Sequence, residues 1–254
     1  MNPQMHQTRD ILEVFDVAVE FDGFRALDGL SLAVRERELT VAIGPNGAGK
    51  TTFVDVVTGR TRPSEGNVVF DGTDITRWQE HRIARAGIAR KFQAPSVFPD
   101  LTLEENLLLA AQPEKSLRVA LFGRRTREAA VLVEELLGQI GLTEHVRRKA
   151  RELSHGQKQW LEIAMTLALR PRLLILDEPI AGMTQEEIEV TVELLRGLAR
   201  ERSVLVIEHD MAFVRSIAER VVVLHQGSLL AEGSFDYVSA DPQVRKVYLG
   251  EEAA

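Results

Sequence analysis

The stretch "LTVAIGPNGAGKTTFVDVVTG" at 39–59 constrains the fold of this chain more than any other. A continuous apolar run enters a glycine-rich loop, and residues at helical spacing leave it toward Gly59, a helix stop. Gly44 through Gly49, Lys50 and Thr51 fit G-x-x-x-x-G-K-[ST], with the strand before and the helix after that the pattern requires. The loop, Gly44, Pro45, Asn46, Gly47, Ala48 and Gly49, is one whose backbone N–H groups can curl around phosphate oxygens without Cβ clashes. The helix start adds partial positive charge. In this reading Lys50 reaches the β- and γ-phosphates of a nucleotide such as ATP, the Thr51 hydroxyl ligates Mg²⁺, and Thr52 touches the α-phosphate.

A second stretch supports this chemistry. "LLILDEP" at 173–179 places Asp177 and Glu178 at the C-terminal end of a buried strand, where open α/β sheets bind ligands. Asp177 is expected to hold Mg²⁺ and Glu178 to take a proton from an attacking water. "IAGMTQEEI" follows, and Thr184 with Glu187 reads as a capping box for the next helix.

The rest of the chain sets the frame. Its first part alternates apolar and polar residues, as half-buried strands do ("ILEVFDVAVEF", "LDGLSLAV", "EGNVVFDGTDI"). The middle, from about Ala89 to Leu169, is mostly helical, and the last part alternates buried strands with helices. Such alternation predicts a mostly parallel sheet covered on both faces. We expect an α/β fold, a single nucleotide-binding unit over 1–254. Its core spans about 10–90 and 166–254 with an N-terminal antiparallel β subdomain, and a helical subdomain is inserted at about 91–165.

The formal net charge of -7 argues against nucleic acid as a partner, because phosphate backbones reward a basic face. The absence of cysteine excludes disulfides, cysteine-based zinc sites and thiol catalysis. "MNPQMHQTRD" is polar and lacks the apolar core of a signal peptide. No apolar run approaches the roughly 18 residues that span a bilayer, so any work at a membrane needs another chain to cross it.

Five pieces stand in order: "GPNGAGKTT", "KFQ" at 91–93, "LSHGQ" at 153–157, "LLILDEP" and "VIEHD" at 206–210. This order, over nearly the whole chain, resembles the ATP-binding subunits of ATP-binding-cassette (ABC) transporters, which are P-loop ATPases. The resemblance implies roles residue by residue. Gln93 contacts Mg²⁺ or the attacking water, and His209 contacts the γ-phosphate. Phe21 stacks on adenine, with Phe24 a rival for the role and a core position the alternative for Phe21. Ser154, Gly156 and Gln157 cover ATP held by Lys50 of a second subunit, so two ATP molecules close a dimer. Ser154 and Gln157 by themselves form a capping box.

"LSHGQKQWLEIAM", "DEPIAGMT" and "VIEHDMAFVR" are similar to the branched-chain amino acid and urea importer branch, and "LSHGQKQW" with "AGMT" most resembles its urea-type subunit. The implied partners are a second ATPase subunit, like or unlike, membrane permease subunits and, indirectly, a periplasmic binding protein. The implied location is the cytoplasmic face of the inner membrane. A branched-chain amino acid importer, or an exporter of the lipopolysaccharide type, would use the same ATP chemistry. Most relatives carry aspartate where this chain has Thr184, so coupling between sites through that position is expected to differ. Phe98 and Leu101 are either contacts for a permease helix or packed within the insert.

Overall fold

The computed structural model describes residues 9–91, 97–111 and 127–249. The chain opens with two long strands, β1 (Asp10–Phe21) and β2 (Phe24–Arg35), then β3 (Leu39–Ile43) and helix α1 (Lys50–Val57). β4 (Glu65–Phe70), β5 (Thr73–Asp74), α2 (Glu80–Ala86) and β6 (Ile88–Lys91) follow. Up to β7 (Leu173–Asp177) the described elements are helical: α3 (Leu103–Ala110), α4 (Arg127–Gln139) and α5 (His155–Leu167), with two short 3₁₀ turns. The last part alternates: α6 (Gln185–Ala199), β8 (Ser203–Ile207), α7 (Met211–Ile217), β9 (Arg220–His225), β10 (Ser228–Gly233), α8 (Phe235–Ala240) and α9 (Pro242–Leu249).

Two sheets result. β2-β1-β4-β5 is antiparallel, and β10-β9-β3-β8-β7-β6 is parallel except for the β9–β10 hairpin. Asp22-Gly23, Asp71-Gly72 and Gln226-Gly227 join the three hairpins, and in each pair both residues have positive φ. Such pairs favour the two-residue turn whose twist matches the strands.

The apolar strands of the second sheet are buried on both faces. Leu174 and Leu176 of β7 and Val204 and Val206 of β8 join one core, which includes α3, α4, α5 and α6. Their neighbours Leu173, Ile175, Leu205 and Ile207 join a second core with Phe53 of α1 and the antiparallel sheet. A strand buried on both faces reads as a continuous apolar run, the pattern that marked these segments. β3 and β7 flank β8 in the parallel sheet, and all three run in the same direction, so their C-terminal ends open at the same edge. Among the described residues no helix is long and apolar enough to cross a membrane.

Candidate active site

The loop between β3 and α1 is held from behind. Gly227 N donates to Ala48 O at 3.0 Å, and Asp28 N donates to Gly227 O at 3.0 Å, which ties the loop to the β9–β10 turn and to β2. Gly49 sits at the α1 cap with φ +100, and a Cβ there would lie 2.7 Å from Ala26 O. Glycine is required on both counts. No side chain caps α1, and its first turn carries no acid. Lys50 Nζ folds back over the loop, donating to Gly44 O and, at 2.9 Å, to Pro45 O.

Asn46, Gly47, Ala48, Gly49, Lys50, Thr51 and Thr52 line a cavity of about 220 Å³ together with Asp177 and Glu178. Residues more than 120 positions apart thus line one cavity. Asp177 is buried, and its Oδ2 accepts from Arg90 Nη2 at 2.9 Å. Glu178 has φ +46, an uncommon conformation for a side chain of that size and one that clusters at functional sites. His209 Nδ1 lies 3.5 Å from Glu178 Oε1.

Behind His209, Glu208 is 1% exposed. Its Oε2 accepts from the backbone N–H groups of His209, at 2.9 Å, and Asp210, at 3.3 Å. Burial pushes its carboxyl above the ordinary glutamate range, against those hydrogen bonds. Glu208 therefore fixes the backbone that carries His209.

At the start of α5 both halves of the expected capping box are present. Gln157 N donates to Ser154 Oγ and Ser154 N to Gln157 Oε1, each at 3.1 Å. Gly156 is buried, and Trp160, Ile163, Ala164 and Leu167 form the buried face of the helix. Thr184 caps α6 in the same way with Glu187. This cluster is separate from the cavity at α1: none of Ser154, Gly156 or Gln157 lines it.

Phe21 and Phe24 pair across the β1–β2 hairpin and are 49% and 65% exposed. Exposure removes the core alternative for Phe21, and Phe24 is the ring that lines the cavity. Phe98 is exposed, whereas Leu101 is half-buried. The loop 98–102 is held by Asn106, whose side chain accepts from Phe98 N and donates to Phe98 O and Thr102 O. Gln93 lies outside the described residues.

Two basic residues of β6 were not foreseen. Arg90 bridges Asp55 of α1 and Asp177 of β7. Lys91 bonds Gln159 and lies 3.3 Å from Glu162, both on α5. Burial lowers the Lys91 pKa, opposed by Glu162. β6 is thus pinned to α1 on one side and to α5 on the other. The sequence signal was adjacent cations at the end of an otherwise buried strand.

A protein-family model described as "ABC transporter" matches residues 27–181, and one described as "Branched-chain amino acid ATP-binding cassette transporter" matches 228–254. The high-affinity branched-chain amino acid transport ATP-binding protein BraF of Pseudomonas aeruginosa is 40% identical, over 96% of this chain and 99% of its own. LivG of Salmonella typhimurium, described in the same words, is 36% identical with the same coverage. Among solved structures, the ADP conformation of MJ1267, an ATP-binding cassette of an ABC transporter, matches with TM-score 0.84 and 33% identity, over 96% of this chain and 100% of that one.

Proposed function

We propose, from the premise that this chain belongs to the ATP-binding subunits of ABC transporters, that it is the ATPase powering a branched-chain amino acid importer. Its activity is ATP hydrolysis coupled to transport. The observation that carries the substrate is similarity to BraF and LivG along nearly the entire chain, including the C-terminal segment. Urea, which the motifs "LSHGQKQW" and "AGMT" put first, takes second place. Those residues cap α5 and α6 and meet through His155 Nε2, 3.0 Å from Ala181 O, so they are not in a position to read a transported solute.

The geometry supports the following roles. ATP phosphates lie along the loop 44–49 and the α1 start, where Lys50 exchanges its carbonyl partners for β- and γ-phosphate oxygens. The Thr51 hydroxyl and Asp177 supply hard oxygen donors suited to Mg²⁺, which when bound offsets phosphate charge. Glu178 accepts the proton as water attacks the γ-phosphorus, and the bond to the β-phosphate oxygen breaks to leave ADP. His209 holds the γ-phosphate side, on a backbone fixed by Glu208. Gln93, outside the described residues, is assigned to the water or metal by the family resemblance alone, and the Phe21–Phe24 pair to adenine.

Ser154, Gly156 and Gln157 cover the nucleotide of a second ATPase subunit. Phe98, presented by the Asn106-braced loop, meets a permease subunit at the cytoplasmic face of the membrane, and a periplasmic binding protein delivers the solute from the other side. The helical insert at 91–165 carries these contacts.

Uptake of radiolabelled leucine, with urea measured in parallel, tests this reading in cells carrying Glu178→Gln. Leucine uptake is expected to fall to background, with hydrolysis by the purified complex reduced roughly 10²- to 10⁴-fold and ATP binding retained. Loss of urea uptake alone would restore the urea reading.

A further inference from the structure

The donors at the start of α5 already have an acceptor, and it comes from the same chain. Glu187, in the first turn of α6, turns its carboxylate onto them. Ser154 Oγ donates to Glu187 Oε1 at 2.8 Å, and the Gly156 backbone N–H lies close enough to help keep the same carboxyl ionised. Thr184 N donates to Oε2 at 3.0 Å. A Cβ at Gly156 would fall 2.4 to 2.8 Å from the carboxylate atoms, so glycine is what admits Glu187. The set is that of an anion site: a hydroxyl, backbone N–H groups and the positive end of a 13-residue helix. These bonds hold the Glu187 carboxyl below the ordinary range, and it is ionised at neutral pH.

We propose that Glu187 is an intramolecular stand-in for phosphate: its carboxylate fills the anion cradle of α5 in the free subunit and must leave before the γ-phosphate of a nucleotide on the partner subunit can enter. The inference rests on the reading above, in which Ser154 and Gly156 face that phosphate. Two anions cannot share one set of donors at hydrogen-bond distance, since their repulsion there is large and the donors are few. Being tethered, Glu187 competes at a high effective concentration. It therefore sets a threshold that only nucleotide presented in the correct geometry overcomes.

Glu187 also links the event to the catalytic carboxylate. Its Oε2 accepts from Thr184 N, and Thr184 ends the loop that begins at Glu178. His155 Nε2 lies 3.0 Å from Ala181 O in that loop. Displacing Glu187 frees the Thr184 cap at the moment the cradle is filled. Glu187 is thus a positioning residue that reports occupancy at α5 to the segment carrying Glu178. Thr184 holds this carboxylate through its backbone and adds no charge of its own.

The test titrates ATP·Mg²⁺ into the hydrolysis-deficient Glu178→Gln assembly, alone and with Glu187→Gln or Glu187→Ala added, and follows dimer closure by analytical ultracentrifugation. Glutamine at this position preserves the capping box, so that variant isolates the charge. Closure is expected at an ATP concentration on the order of five- to tenfold lower in both variants. Glu187→Ala should also melt earlier, because it loses the cap. A purely structural role would make closure harder in Glu187→Ala and leave Glu187→Gln unchanged, and either result overturns the proposal. If the Glu178→Gln assembly never closes with ATP, the dimer reading itself fails and this proposal falls with it.

Discussion

Two helix starts in this molecule offer the same physics and are treated in opposite ways. α1 and α5 each present backbone N–H groups at the positive end of a helix, next to a glycine that leaves room for close approach. At α1 the N-cap is a glycine with no capping side chain, no acid lies in the first turn, and two carboxylates wait across a cavity. At α5 a serine and a glutamine form a capping box, and a glutamate from another helix accepts from that serine. The difference separates a primary ligand site from a conditional one. The first can bind whatever brings phosphate, and the second has to be vacated. On the proposed reading, a subunit built this way would hold nucleotide alone and respond to its partner only when that partner is loaded.

Substitutions at the two starts should therefore fail differently. Lys50→Ala removes a charge-assisted contact at α1, and ATP affinity should fall roughly 10- to 150-fold by equilibrium dialysis. Gly156→Asp acts at α5. It should leave nucleotide affinity of the single subunit intact and abolish closure. The added side chain meets the Glu187 carboxylate, so a loss of about 1–3 kcal/mol should also appear as a lowered melting temperature. Thr184→Ala should be the mildest. It removes one helix cap, worth about 1 kcal/mol, and a shift of about 2–4 °C should be seen by calorimetry. If Gly156→Asp weakened ATP binding as much as Lys50→Ala, the two starts would not be distinct sites.

The sequence made one start far more legible than the other. The α1 loop is contiguous, so its residues, their order and the flanking strand and helix all fall within 39–59, and the acids of β7 were readable because a buried strand delivers them. The capping box of α5 was readable for the same local reason. Its partner was not, since Glu187 lies 33 residues from Ser154 and reads by itself as the cap of its own helix. Arg90 reaches Asp177 across 87 residues, and that pairing depends on β6 lying beside β7 in the sheet. Glu208 stood inside a quoted motif, but only its burial marks it as the anchor of His209. Phe21 was singled out over Phe24, and strand register decides which ring borders the cavity. The transported solute was the least legible of all, because the residues that suggested urea belong to the α5 and α6 caps.

The most direct test of the account is the structure of the Glu178→Gln assembly trapped with ATP·Mg²⁺, read at a single separation. In the free subunit Ser154 Oγ and Glu187 Oε1 are 2.8 Å apart. The account predicts that in the trapped state this bond is broken. Ser154 and the Gly156 N–H would then contact the γ-phosphate of ATP held by Lys50 of the other subunit. A closed, ATP-bound dimer in which Glu187 still holds Ser154 would contradict it.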